Sequence, residues 1–233
     1  WSIVSHWYGA GGNPDVHADQ HVLMHSPHTG HLFAGHDGVL HFSTDEGDSF
    51  YEISDGLGIG QIYKIGQSAL ERELTIAGFQ DNGTALIDNG VWRTEIGGDG
   101  MECIVDYSDS DVMYGALYFG DVRRSTNRGY SYSRIAKVEY NGITESGGWI
   151  TPYKLHPTNS DTMYIGYKNI WRSYNCASAG ASSVTWTKVS DFPQTKNIVD
   201  IGISVADPNT MYVSRSGNKF FKTNNIHVAS PVW

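Results

Sequence analysis

Three side chains near the start of the chain, His17, Asp19 and His21, follow a His-x-Asp-x-His pattern. On an extended strand, alternate residues share a face and stand about 7 Å apart, so they would form one imidazole–carboxylate–imidazole row. Imidazole with carboxylate suits zinc-like or manganese-like ions, and one or two of the row, with His36 or Asp37 from the adjoining turn, could ligate such an ion. All three cannot reach one ion from a straight strand. The other reading is a polar lining, with His17 and His21 hydrogen-bonded to neighbours in a wet channel. No cofactor is required; a divalent cation is the one the row would admit.

A second constellation is acidic: Asp19, Asp37, Asp81 and Asp99. Paired carboxylates across a cleft are what glycoside hydrolysis uses, one protonated to donate and one ionised to activate water or attack. Asp37, Asp81 and Asp99 are the catalytic candidates. Each also stands in an Asp-Gly or Asp-Asn-Gly type word, where ordinary turn chemistry explains it. The ligand-binding candidates around them are Asp19, His36, Gln80, Asn82, Trp149 and Tyr63. Tyr63, Phe79, Tyr118, Trp149 and Tyr153 could stack on sugar faces, or pack between sheets as core.

The elements that must position these groups show in an internal repeat. Segments beginning at Ser26, Gln67, Asp106, His156 and Ala206 each give a polar turn, an apolar or aromatic pair and a small residue. Their spacing of roughly 40 to 50 residues is that of a four-stranded propeller blade. The predicted fold class is all-β: a β-propeller of four-stranded antiparallel blades, about five of them, either a closed ring or a segment of a larger one. The repeats lie near 17–53, 60–96, 99–135, 148–189 and 197–233, read as one domain over 1–233. Residues 1–5 have the pattern of Trp186–Ser190 and are predicted as an outer strand, of the last blade or of a preceding one. In such a blade the innermost strand starts on the face where the second strand turns into the third. The words near His17, Gly60, Gly98, Gly148 and Asn197 therefore converge with the turns at 36–38, 80–83, 119–121, 167–169 and 216–218 on one mouth.

Composition narrows the function classes. A net charge of −9, with Lys and Arg scattered, lacks the clustered positive charge of a nucleic-acid footprint. No apolar run approaches the ~18 residues of a membrane span, and the chain starts at Trp1 without a charged n-region or apolar h-region, so any signal peptide is expected to have been removed or to lie outside this sequence. Cys103 and Cys176 fit neither a disulfide framework nor a zinc spacing and read as separate thiols.

The turn Ser43-Thr44-Asp45-Glu46-Gly47-Asp48-Ser49-Phe50 resembles the Asp-box of sialidase-like, sortilin-like and xyloglucanase-like propellers. Its Asp accepts backbone N–H groups within its own turn and its Gly supplies positive φ, a folding role. Degenerate copies follow at Ser125–Tyr132, at Ser173–Asn175 before Val184–Trp186, and at Lys222–Asn225 leading to Trp233. The stretch Leu32–Ser43 is similar to the first-blade word of xyloglucanase-type propellers, whose turn Asp is catalytic; the resemblance makes Asp37 the base. That family takes its acid from a second propeller, which has no counterpart here. The wider set of words resembles secreted bacterial BNR-repeat propellers. Sialidases clamp a substrate carboxylate with three inner-strand arginines, whereas Arg93, Arg124, Arg172 and Arg215 are predicted on second-to-third strand positions, which speaks against that activity. The expected function is binding of a carbohydrate or protein segment at an acidic, His-containing mouth, outside the cell or at its surface. The alternatives are a glycoside hydrolase on a neutral β-glucan such as xyloglucan, or a structural or adhesive module of a larger surface protein, with further blades or domains as partners.

Overall fold

The computed structural model describes residues 2–193 and 196–233. The described chain is all-β: nineteen strands in five antiparallel sheets, with three short 3-10 turns. The first sheet takes β1 (Gln20–His25), β2 (Leu32–His36), β3 (Leu40–Ser43) and β4 (Tyr51–Glu52). The second takes β5 (Ile62–Gln67), β6 (Leu74–Phe79), β7 (Gly83–Asp88) and β8 (Val91–Ile96). The third takes β9 (Cys103–Val105), β10 (Met113–Leu117), β11 (Asp121–Ser125) and β12 (Ser133–Ala136). The fourth takes β13 (Tyr153–His156), β14 (Asn159–Gly166), β15 (Ile170–Ser173) and β16 (Thr187–Lys188), and the fifth has β17 (Ile198–Ile203), β18 (Met211–Arg215) and β19 (Lys219–Thr223). Every sheet runs in sequence order, each strand pairing with the next.

Where the repeats suggested one domain, the chain divides into two compact units, Trp1–Gln61 and Ile62–Trp233. The first unit is a single sheet whose rings Phe33, Phe42 and Tyr51 follow one another at centroid distances of 6.2 and 5.6 Å. Ser2–Ser5, expected as an outer strand, carries no strand, and Ile3 and Val4 are exposed; among the described residues no backbone partner pairs with the segment. Trp1, part of the same expectation, lies outside the described residues.

In the second unit each core lies between successive sheets. Leu74, Ile76 and Leu86 of the second sheet meet Cys103, Val105 and Met113 of the third. Tyr114, Val122 and Ile135 of the third meet Ile165, Trp171 and Cys176 of the fourth. Tyr164 and Ile170 then meet Ile201, Met211 and Val213 of the fifth. Both cysteines are buried free thiols, and burial pushes each up to about 12. Among the described residues no helix is long and apolar enough to cross a membrane.

One local device closes the outer turns. Ser43 Oγ donates to Asp45 Oδ1 (2.7 Å) and accepts the Gly47 amide (2.8 Å), while Asp45 accepts the Ser49 amide (2.9 Å) and its hydroxyl. Hydrogen bonds from Ser49 and Ser43 hold the Asp45 carboxyl down at about 2. Asn127 accepts the Ser131 amide at 3.1 Å in the same way, Asn175 accepts that of Thr185 across the inserted loop at 3.0 Å, and Asn225 accepts that of Val232 at 3.1 Å. An amide oxygen thus replaces the carboxylate in the degenerate copies and the turn geometry survives.

Candidate functional site

Inner strands begin beside the turn from the second strand to the third in each sheet where the pairing reaches that edge: Gln20 opposite His36, Ile62 opposite Phe79, Ile198 opposite Arg215. In all three the register slips by one residue just inside the strand, at His21, Tyr63 and Val199. A bulge re-aims its side chain, and here it turns His21 and Tyr63 toward the neighbouring turn.

In the first unit this corrects the expected metal row. His17 and Asp19 precede β1, Asp19 has φ of 58° and His21 is the bulge, so the three do not alternate along one face. His21 Nε2 instead meets Asp37 Oδ1. A carboxylate oxygen of Asp19 lies within 4.8 Å of one from Asp37. The His17 ring stacks on His36 at 5.6 Å and packs over Gly38, where a Cβ would stand 2.7 Å from the imidazole. His36 Nδ1 accepts the Val39 amide at 3.1 Å, so its proton sits on Nε2, facing His41 Nδ1 at 2.8 Å. Burial, with His41 and His17 adding to it, lowers His36 to about 4. His41 was not among the residues singled out from sequence; its place across the β2–β3 hairpin from His36 is the signal.

In the second unit three sheets contribute to one edge. Tyr63 at the start of β5 donates its hydroxyl to Gln80 Oε1 at 2.7 Å and accepts the indole N–H of Trp149 at 3.1 Å. Trp149 lies in the segment before β13 and stacks on Tyr118 at 5.2 Å with planes 6° apart, while Phe119 meets it edge-on at 5.6 Å. Trp149 is 44% exposed, and Tyr118 and Phe119 are exposed as well.

This ring group is held by backbone. Phe119 has φ of 61°, uncommon for a bulky residue, and the main chain compensates: its N–H donates to Trp149 O (3.3 Å) and its carbonyl accepts from Gly147 N (3.2 Å). Buried Tyr167 donates to Gly120 O at 2.8 Å, and a Cβ on Gly120 would stand 2.3 Å from the Tyr167 ring. Phe119 was expected only as part of a turn.

Asp99 Oδ1 accepts the Asp81 amide at 3.0 Å. The approach that allows it needs glycine, because a Cβ on Gly100 would stand 2.1 Å from Gly83 O. Asn82 donates to Gln80 O at 3.2 Å, closing the turn. The inner strand predicted near Gly98 begins later, at Cys103.

Of the two readings open for Tyr153, packing as core is the one the structure shows, and the expected position of Arg93 is corrected. Tyr153 is fully buried and donates to Glu102 O at 2.6 Å, so it is core and not a sugar platform. Arg93 sits on the outer strand β8 and not at a second-to-third strand position, whereas Arg215 lies on the second strand β18 as expected, although opposite the inner-strand start Ile198. Their guanidiniums hold backbone: Arg93 on Arg128 O, Arg215 on Pro193 O and Lys196 O. Asp121 is likewise structural. Burial alone would raise its carboxyl, but the bidentate Arg134 pair and nearby Arg123 hold it below the usual range.

No known protein family matches the sequence, and no curated protein is similar to it. Among solved structures it is similar to the GH74 xyloglucanase from Xanthomonas campestris, with TM-score 0.57 and 18% identity over 75% of this chain and 30% of that one. The Niastella koreensis GH74 enzyme gives TM-score 0.52 and 20% identity over 94% of this chain and 32% of that one. An extracellular domain from B. thetaiotaomicron gives TM-score 0.52 and 10% identity over 96% of this chain and 31% of that one. The chain spans about a third of the length of these structures. These likenesses define the class by fold: the architecture is that of β-propeller proteins, built from antiparallel blades.

Proposed function

We propose that the chain is part of an extracellular or cell-surface propeller of the Asp-box type and that its second unit binds carbohydrate on the Tyr118–Trp149–Tyr63 edge. The observation that carries this reading is the exposed ring group itself, joined through Tyr63 to Gln80. Flat rings offer apolar area to a pyranose face while Gln80, Asn82 and the carboxylates Asp81 and Asp99 offer hydrogen bonds to its hydroxyls. The likeness in fold to GH74 xyloglucanases supports it. Calorimetric titration with a panel of neutral and charged oligosaccharides tests it. Binding that is lost in Trp149→Ala upholds the proposal; equal binding by parent and variant, or none by the parent, overturns it, the latter leaving a protein-segment ligand or an adhesive module.

A second reading is glycoside hydrolysis of a neutral β-glucan, with Asp37 as base. The second carboxylate beside it within the same unit, Asp19, favours it. Asp37→Asn would abolish turnover; undiminished turnover removes the scheme. A divalent cation at Asp19 and Asp37 belongs to the same proposal. Element analysis of the purified protein and of Asp19→Ala reads it, and absence of stoichiometric metal removes it.

A further inference from the structure

Around Asp121, on the third sheet, three cations gather against a single carboxylate. Arg134 takes both of its oxygens, Nε to Oδ1 at 2.7 Å and Nη2 to Oδ2 at 2.8 Å. Arg123 Nη2 then stands 3.6 Å and Lys137 Nζ 3.9 Å from Oδ2, both beyond hydrogen-bond reach. Among the described residues Asp121 is the one carboxylate that pairs with any of the three. Three positive charges against one negative leave two uncompensated, in a chain whose net charge is −9.

The backbone is shaped to bring them together. Arg134 and Lys137 are three positions apart, a spacing that sends side chains to opposite faces of a regular strand. Between the pairs Val122–Ala136 and Arg123–Arg134 the register slips, so Ile135 is an extra residue, and this bulge brings Arg134 and Lys137 to the same carboxylate. Arg123 and Arg134 come to lie directly opposite each other on β11 and β12, an arrangement that like-charge repulsion disfavours. Arg123 gains nothing in return. Among the described residues it makes no hydrogen bond, and its Nε–H is buried without a partner. Arg124 and Arg172 use their terminal nitrogens to hold backbone carbonyls, and Arg123 holds none. The Asp121 side chain is only 8% exposed, whereas those of Arg123, Arg134 and Lys137 are 32, 35 and 45% exposed, so the cations open to solvent over a closed carboxylate.

We infer that Arg123, Arg134 and Lys137 form a binding site for a phosphate group, with Asp121 as the buried post that orients them. The chemistry of the anion follows from what Asp121 leaves over. Two uncompensated charges match a phosphate, which carries about −1.5 to −2 at pH 7, better than a lone carboxylate. Guanidinium forks pair bidentately with phosphate oxygens, and an ammonium adds a point charge. Arg123 offers its terminal nitrogens, Arg134 the Nη1 that Asp121 does not use, and Lys137 its Nζ.

Titration calorimetry of the 233-residue chain with inorganic phosphate at pH 7 and low ionic strength, where charges are least screened, tests the inference. Acetate serves as the carboxylate control and a hexose phosphate as the ester. Saturable phosphate binding is expected, with acetate about tenfold weaker or more. Arg123→Gln is expected to weaken phosphate about tenfold, the loss of one charged hydrogen bond. Because Arg123 makes no hydrogen bond within the chain, the same variant is expected to melt within about 2 °C of the parent when phosphate is absent. Lys137→Gln, a replacement at the more exposed cation, is expected to weaken phosphate about threefold. Either result with the hexose phosphate upholds the site: tighter binding than phosphate makes an ester its ligand, and equal or weaker binding makes it free phosphate. No saturable phosphate binding by the parent, equal phosphate affinity in the parent and both variants, or acetate as tight as phosphate overturns the inference. A large drop in the phosphate-free melting temperature of Arg123→Gln would make the cluster a structural tie, and that too overturns it.

Discussion

Trp149 and Tyr63 come from different sheets and 86 positions apart, yet the indole N–H of the first meets the hydroxyl of the second at 3.1 Å. That bond fixes the edge of an exposed ring while leaving its faces to Tyr118 and to solvent. It also sets the first test. Tyr63→Phe keeps the ring but strips both Trp149 and Gln80 of a partner, at a cost of about 1 kcal/mol. Glycan affinity is expected to fall roughly fivefold, with a smaller change in melting temperature. Trp149→Ala removes the platform and is expected to cost about 2 kcal/mol of binding or more. Titration calorimetry on the two variants checks the order.

The imidazole group of the first unit predicts an acid limb. His36 is lowered from 6.5 to about 4 by burial and by His41 and His17, against which Asp37 acts only weakly. The unfolded chain therefore binds the proton more readily, and stability rises with pH across that interval. The contribution is fully present above about 6.5 and is lost as pH falls to about 4. Imidazole titration followed by NMR, with melting curves over the same range, checks it. In His36→Gln the melting curves should flatten across this window.

Asp45 gives the opposite kind of group at a lower pH. Its carboxyl is lowered from 3.8 to about 2 by hydrogen bonds from Ser49 and Ser43. Its contribution is present above about 3.8 and is lost as pH falls through about 2. Asp45→Asn should be tolerated better than Asp45→Ala, because Asn127, Asn175 and Asn225 make the same amide-accepting turn. Melting curves of the two variants at pH 7 and pH 3 test this, and equal losses would show that the accepted amide does not matter.

Arg124 ties the third sheet to the fourth in the second unit. It donates to three carbonyls of the turn after Asn175. Arg124→Met keeps much of the apolar stem but orphans those acceptors, and a loss of about 3 kcal/mol is expected, since hydrogen bonds to charged donors are worth about 1.5 to 3 each. Urea unfolding gives the value; a change below about 1 kcal/mol would mean that water replaces the guanidinium.

The repeat, the strands and the outer turns were legible from the residues alone because their forces act between near neighbours. Ser43, Asp45 and Ser49 satisfy one another within a few positions, and continuous apolar runs such as Met163-Tyr164-Ile165 declare a strand buried on both faces. The candidate edge was legible in part: Tyr63, Gln80 and Trp149 were expected there, while Phe119 was expected only as part of a turn. Tertiary structure decided the rest. The bulge at His21 broke the alternation that the His-x-Asp-x-His word implied, and a bulge depends on where the partner strand ends. Phe119 holds positive φ because backbone from the Gly147–Trp149 segment satisfies it, and Tyr153 is core because Glu102 offers a carbonyl under it. Such contacts join residues tens of positions apart, and no local pattern in the chain encodes them.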